Sequence, residues 1–452
     1  MGQFSPGSTV QRPTNVRFGV LAFACSLSLL TYLDRVCISQ VGDLIREDLD
    51  LKPLQMGFIF SAFIAGYALF EIPGGWMGDR WGSRRVITRI VIWWSLFTAL
   101  TGSVQKFRWE SGYEINLFES TFPIAFGSLG AMLLIRFLFG AGEAGAYPNL
   151  NRITSTWFPF RDRAFAQGAV WMCARLGGAI APVVIRGLTD LFSWRVAFWI
   201  LGSVGAVWAF CFFSWYRDKP EDKPSCNLAE RELIRAGSIG THPAHNHQLS
   251  WRQLVTSGNA WALGITAFFF SFGWYYYPTW QPEYLEDSFG ISYKDSQFLT
   301  GLPFLCGAVG SLGGGKISDA LIRLTGSQRW GRSLVGLVGF TVAGCCVFAT
   351  GFATSAWQAI ALLCVAFLSN DLAIPVVWAT CADIGGRFAG TVSGFMNCVG
   401  LLGGILSPTL IPLLRTKQFA WQTVFAVLAA SWFAAALCWL YIDASKSVVE
   451  KD

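Results

Sequence analysis

Long apolar runs separated by short polar breaks dominate this chain of 452 residues. Twelve of them, each about 20 residues long, stand near 17–40, 55–78, 86–105, 122–147, 164–185, 195–216, 259–284, 297–318, 333–354, 357–380, 389–413 and 420–442. Each is long enough to cross a hydrocarbon core of about 30 Å. Backbone polar groups cannot stay unpaired in lipid, so each run predicts a membrane-spanning helix. The one long polar interruption, about 217–258, contains DKPEDKPS and reads as a solvated linker. The expected fold is therefore an all-α membrane protein: twelve transmembrane helices in two six-helix bundles, 1–216 and 259–452.

The short loops orient this arrangement. With the N-terminus inside, Arg80, Arg84, Arg85 and Arg89, then Arg152, Arg161 and Arg163, then Arg323, Arg329 and Arg332 fall on the cytoplasmic side. The opposite loops hold Asp43, Glu47, Asp48 and Asp50; Glu110, Glu114 and Glu119; and Glu283, Glu286 and Asp287. An inside excess of Lys and Arg is what the positive-inside rule asks, and it places both termini in the cytoplasm. The polar stretch 1–17 leads into the first apolar run with no small-residue cleavage site before Asp34, which predicts an uncleaved first helix.

Composition agrees with this reading. The chain is 53% hydrophobic and 14% charged, against about 25% charged for a soluble domain. The net charge of +6 fits basic loops beside anionic lipid and not a nucleic-acid partner. Twelve cysteines, scattered and without a C-x-x-C pair, read as small apolar residues. His242, His245 and His247 sit in the linker without acidic or Cys partners, so no metal or cofactor is expected. No Ser/His/Asp set or phosphate loop is present, so an enzyme is not expected.

Charges inside the apolar runs carry the chemistry. Each costs roughly 2.5 to 3.5 kcal/mol on insertion scales. IRFLFGAGEAGAYPN (135–149) holds Arg136 and Glu143. Seven positions is two turns less about 20°, so both side chains share a face, roughly 10 Å apart along the axis. Such a face reads as the charged wall of a translocation pathway. The halves also echo one another. GGAIAP (177–182) matches GGILSP (403–408), and GGWMGDRWGSRR (74–85) finds a looser counterpart in GGGKISDALIRLTGSQRWGRS (313–333). Such a parallel duplication places substrate near midplane between the halves.

The 74–85 stretch, with Gly75, Asp79, Arg80, Gly82, Arg84 and Arg85, resembles the loop signature of the major facilitator superfamily. Its small residues permit close helix approach, and a carboxylate among arginines can latch helix ends. Tyr32-Leu-Asp34-Arg35, Tyr67 ahead of Ile72-Pro73-Gly74-Gly75-Trp76, Arg136 to Asn149, and Trp157-Phe-Pro159 resemble the anion:cation symporter family, and within it bacterial proton-coupled carriers of sugar acids such as galactonate, glucarate and hexuronates. The likeness is dense in the N-terminal half and thinner afterwards. It implies that Asp34 and Glu143 are the protonatable pair, with the proton as coupling ion. It further implies that Arg35 faces a substrate carboxylate and that Tyr32 and Tyr67 bond sugar hydroxyls. Arg is suited to the anion because its planar fork stays charged when desolvated. Asp34 and Arg35 could instead form a juxtamembrane charge pair, and Glu143 a helix-end residue. Arg136 serves either the pathway or an internal pair.

Two departures from that pattern stand out. Arg175 precedes Gly177-Gly178 where sugar-acid carriers often place an uncharged polar residue. It either binds a second carboxylate, which favours a dianion, or neutralises Asp371. Glu71 stands where glutamine is usual, as an extra proton site or as one side of an ion pair. In the C-terminal half, Trp274 to Trp280 resembles the family's broken aromatic helix, loosened by Pro278 and Pro282. From it one or two of Tyr275 to Tyr277 are expected to reach substrate, Tyr276 first among them. Asn397 offers either a hydroxyl contact or a helix–helix hydrogen bond. The function expected is import of a small organic anion by proton symport and alternating access, as a monomer in the cell's inner membrane. The rivals are carriage of another organic anion, efflux of amphipathic compounds, and a carrier-like nutrient sensor.

Overall fold

A computed structural model describes residues 12–117, 120–236, 251–291, 293–414 and 421–448. Ten stretches among them are long and apolar enough to cross a membrane. The first part of the chain forms α1 (Val16–Gln40), α2 (Gly42–Leu49), α3 (Pro53–Trp81), α4 (Ser83–Ser103), α5 (Ser128–Glu143), α6 (Ala146–Trp157), α7 (Arg163–Leu191) and α8 (Trp194–Trp215). Short helices α9 (Leu228–Ala236) and α10 (Trp251–Thr256) follow, then α11 (Gly258–Trp274), α12 (Tyr276–Thr279) and α13 (Gln281–Phe289). The chain continues as α14 (Tyr293–Thr325), α15 (Gln328–Thr350), α16 (Ala356–Gly385), α17 (Ala389–Leu414) and α18 (Trp421–Tyr441). α16 and α17, joined by the turn Gly386–Phe388, lie in one of the ten stretches, Ala356–Ser407.

The helix expected at 122–147 is different in two ways. Residues Ser120–Gly127 form a strand, β2, paired antiparallel with β1 (Arg108–Leu117), and the helix begins only at Ser128. Phe122, Ile124 and Phe126 alternate with Thr121, Pro123 and Ala125, a period of two that suits a strand. The helix then breaks: Ala144 is extended, and Gly145 is left-handed at φ +82 and caps α6. An L side chain is strained in that region, and a Cβ on Gly145 would also press on Gly74 Cα at 2.5 Å. The apolar run 259–284 is likewise divided, at Tyr275 and Trp280, into α11, α12 and α13, with Pro282 in the first turn of α13.

Part of the polar connection is packed and not simply solvated. Glu230, fully buried at the start of α9, accepts hydrogen bonds from Thr14 Oγ1 (2.6 Å), Val16 N (3.1 Å), Arg17 N (3.1 Å) and Arg17 Nη1 (3.2 Å). A carboxylate there satisfies the orphan donors that open α1. The three histidines lie outside the described residues.

α3 packs on α17, and α7 on α14, and these pairs meet backbone to backbone. A Cβ on Gly75 would collide with the Gly390 carbonyl, one on Gly168 with that of Ser311, and one on Gly315 with that of Ala164. Small residues let helix backbones approach this closely.

Candidate functional site: a paired-charge core and two carboxylate caps

Arg35 projects from the last third of α1 towards the end of α5. Its Nε and Nη2 both donate to Glu143 Oε1, at 3.0 and 2.5 Å, while Oε2 has no hydrogen-bond partner among the described residues. Arg35 also lies over the rings of Tyr67 (4.8 Å), Tyr32 (5.4 Å) and Phe63 (5.5 Å). Its side chain is 24% exposed, whereas that of Glu143 is 1% exposed. The guanidinium is thus the accessible member of the pair.

Arg136 is buried above Phe139 (4.3 Å) and Phe63 (5.4 Å), and its Nε has no hydrogen-bond partner among the described residues. Asp34 is buried one position before Arg35, within electrostatic reach of both Glu143 and Arg136. The four charges form one cluster. Two acids face two permanently charged guanidiniums, so each proton gained or lost changes the charge of an enclosed site.

Arg175 pairs with Asp371. Its Nε reaches Oδ2 at 2.7 Å and its Nη2 reaches Oδ1 at 3.1 Å, with both residues buried. Asn370 Nδ2 (3.0 Å) and Ser311 Oγ (3.4 Å) complete the carboxylate, and Trp432 Nε1 holds Asn370 Oδ1 at 3.1 Å. Such outer bonds are what a buried ion pair requires. Of the two roles open to Arg175, this conformation adopts the pairing. Around it stand Trp171, Trp274 and Phe367. Tyr147 stacks on Trp171 at 4.7 Å, and Trp378 lies 5.6 Å from Trp171. The indole N–H groups of Trp171 and Trp274 are buried without an acceptor among the described residues. Tyr147, Trp171, Trp274 and Trp378 were not legible as site residues, because an aromatic in a membrane helix more often packs or anchors.

Glu71 is not in an ion pair among the described residues. Its Oε2 accepts from Gly145 N (2.9 Å), and its Oε1 accepts from Asn397 Nδ2 (2.6 Å) and Tyr67 Oη (3.5 Å). Asn397 therefore makes a helix–helix bond from α17. Tyr276 also differs from expectation: it is fully buried against Tyr277 and Phe425. Its neighbour Tyr275 is the one within electrostatic reach of Arg35 and Tyr32. At a helix break, the residue facing inward depends on where the turn falls.

At the Arg-rich end, Asp79 closes the start of α17. Its carboxylate accepts from Gly390 N (3.1 Å), Thr391 N (2.6 Å) and Thr391 Oγ1 (2.6 Å), and Arg152 Nε lies 3.2 Å away. Arg80, Arg84 and Arg85 do not supply its partner. Arg80 covers Trp76, and Arg84 donates to the Phe213 carbonyl. Gly82, at φ +85, turns the chain against Asp218. The counterpart is Asp319, which accepts from Phe165 N (2.7 Å) at the start of α7 and from Arg332 Nη1 (2.6 Å). Arg332 and Arg163 both hold Asp383, at 3.1 and 3.0 Å. The sequence echo hinted at Asp319, whereas Arg163 and Arg332 were read only as basic loop residues.

Long apolar helices, buried charges paired around an aromatic interior, and matched carboxylate caps define a multi-pass membrane carrier. Residues 24–408 match the Major Facilitator Superfamily, and the chain belongs to that superfamily. It is 31% identical over 436 residues to the "Probable sulfoacetate transporter SauU" of Cupriavidus necator, covering 96% of each chain. It is 30% identical to the "Probable galactarate/D-glucarate transporter GudP" of Escherichia coli, over 89% of this chain and 88% of that one. Among solved structures the proton:xylose symporter XylE, at 14% identity, superposes with a TM-score of 0.70 over 93% of this chain and 94% of that one, which shows the shared fold. The protein is a transporter of this superfamily and not an enzyme.

Proposed function

We propose that this chain imports a sugar acid, a hexonate, hexuronate or aldarate, by proton symport. The observation that carries the reading is the Arg35–Glu143 pair beside buried Asp34. Protonation of Glu143 releases the Arg35 fork, which can then take the substrate carboxylate in two parallel hydrogen bonds. The Glu143 carboxylate and the anion thus compete for Arg35, so binding of the proton favours binding of the anion and the reverse. Tyr32 and Tyr67 flank Arg35 to meet hydroxyls, and Arg136 holds the positive field. Arg175, freed from Asp371 on substrate entry, would serve a second acidic group.

In this reading twelve spans form two bundles, 1–216 and 259–452, joined by 217–258, with both termini and the Arg-rich loops on the cytoplasmic side of the inner membrane. The protein works as a monomer with no cofactor besides the transported proton. Asp79 and Asp319 close the cytoplasmic end, so the conformation described is the one loaded from outside.

A second substrate reading is favoured by the 31% identical relative named for sulfoacetate: a short anion with a sulfonate and a carboxylate. Uptake of labelled glucarate, galacturonate and sulfoacetate into proteoliposomes separates these readings. An inward proton gradient should drive accumulation of at least one, with Asp34→Asn and Glu143→Gln losing it. Equal uptake with the gradient collapsed, unaltered in both variants, would discard the proposal.

A further inference from the structure

Glu71 sits where three helical segments that move in alternating access meet: α3, the break between α5 and α6, and α17. Its carboxylate is fully buried and, among the described residues, accepts hydrogen bonds only from dipoles: the Gly145 N–H at the left-handed turn, the Asn397 amide of α17 and the Tyr67 hydroxyl. An ionised carboxylate with no ion-pair partner in an apolar interior depends on such donors. The Asn397 donor comes from the opposite half of the chain, across the interface where the Gly390 carbonyl rests on Gly75 and Asp79 caps α17. That donor is present only while α3 and α17 are together.

We propose that Glu71 is a proton-binding site that gates the Arg-rich end, distinct from the Asp34 and Glu143 pair. Hydrogen bonds to a charged acceptor are roughly twice as strong as neutral ones. An ionised Glu71 therefore holds Asn397 and Gly145 tightly and keeps α3 against α17. A proton on Glu71 neutralises the acceptor, weakens both bonds and lets the Arg-rich end open. By linkage, opening removes the Asn397 donor and raises the affinity of Glu71 for that proton. Proton loading then favours the state that releases substrate inward, and proton loss favours reclosure, which is the order a symporter needs. The other titratable and charged groups facing Glu71 are Arg35 from α1, Tyr67 from α3, Glu143 from α5 and Cys398 from α17. Arg35 favours the ionised form, and Glu143 opposes it until protonated. A proton on either carboxylate therefore lowers the affinity of the other for a proton, and the two sites load in turn.

The inference rests on the alternating-access reading above, and its test does not require the substrate. Leu228 and Leu324 are exposed near the Arg-rich end, one in the packed linker helix and one at the end of α14. Spin-labelled non-natural residues at both positions would report opening as a longer distance. The measurement is made on full-length protein carrying Asp34→Asn and Glu143→Gln, so that those acids do not titrate. Lowering the pH from 8 to 5 should raise the open-to-closed ratio on the order of five- to tenfold, a common coupling between sites. Adding Glu71→Gln, a neutral isostere, should abolish the shift. Asn397→Ala, which removes the donor and leaves the carboxylate, should place the pH 8 protein nearer the open distribution. A shift retained in the Glu71→Gln protein would overturn the proposal, as would an Asn397→Ala protein as closed at pH 8 as its parent. If the shift behaves as expected while the wild type shows no proton-driven uptake, only the symport reading fails.

Discussion

Arg175 and Asp371 are 196 positions apart in sequence and 2.7 Å apart in the fold. Each was visible as a charge in an apolar run, and their pairing was one of the two roles open to Arg175, but the choice between those roles was not visible. It depends on how α7 meets α16, which no local pattern encodes. The same holds for Arg35 and Glu143, 108 positions apart. Removing one member of a buried pair leaves an uncompensated charge, at a cost of about 3 to 5 kcal/mol, whereas replacing both by apolar residues is often neutral. Arg175→Met and Asp371→Leu should each lower unfolding stability in detergent by about that amount, and the double variant should regain most of it. Additive losses in a double-mutant cycle would mean that the pair is not a unit. The double variant should also lose affinity for diacids more than for monoacids if Arg175 serves a second acidic group.

The helices were legible to within a few residues wherever a run was uniformly apolar, as in α8 and α18. They were misread where glycine, proline or a change of period intervened. Gly145 and Pro148 mark the α5–α6 break, yet the apolar run alone carried the helix through it. The strand before α5 was hidden because its residues are as apolar as those of the helix. The break has a measurable cost to alter. Gly145→Ala places a Cβ in the left-handed region, at about 1 to 2 kcal/mol, and against Gly74. It should therefore lower the thermal midpoint while leaving α4 and α8 packed. An unchanged midpoint would show that the left-handed turn is not needed. Gly75→Val and Gly315→Val push α3 from α17 and α14 from α7 at matching places. Each should increase the accessibility of the Arg-rich end to a membrane-impermeant probe, and an end as closed as in the wild type would refute the backbone contacts.

Across the whole molecule the two halves repeat one device. Asp79 caps the start of α17 and Asp319 the start of α7, each from four residues beyond a glycine, Gly75 or Gly315, that meets a backbone carbonyl of the capped helix. The loop signature showed the first cap and its echo hinted at the second. The capped helix lies in the opposite half in both cases, so only the folded molecule shows that the caps cross between halves. Loss of a helix cap costs about 1 kcal/mol, close to a fivefold change in a two-state ratio. Asp79→Ala and Asp319→Ala should each open the Arg-rich end by about that factor, and together by about its square, in the spin-label measurement. Equal populations in wild type and double variant would remove the caps from the conformational balance.

The central claim is that anion and proton cross together through the Asp34, Arg35 and Glu143 cluster. Its most direct measurement is the lumenal pH of proteoliposomes holding an entrapped pH dye, with no gradient imposed and substrate added outside. The account predicts lumenal acidification that follows anion entry and is absent in Glu143→Gln. Anion entry with no change in lumenal pH would contradict it.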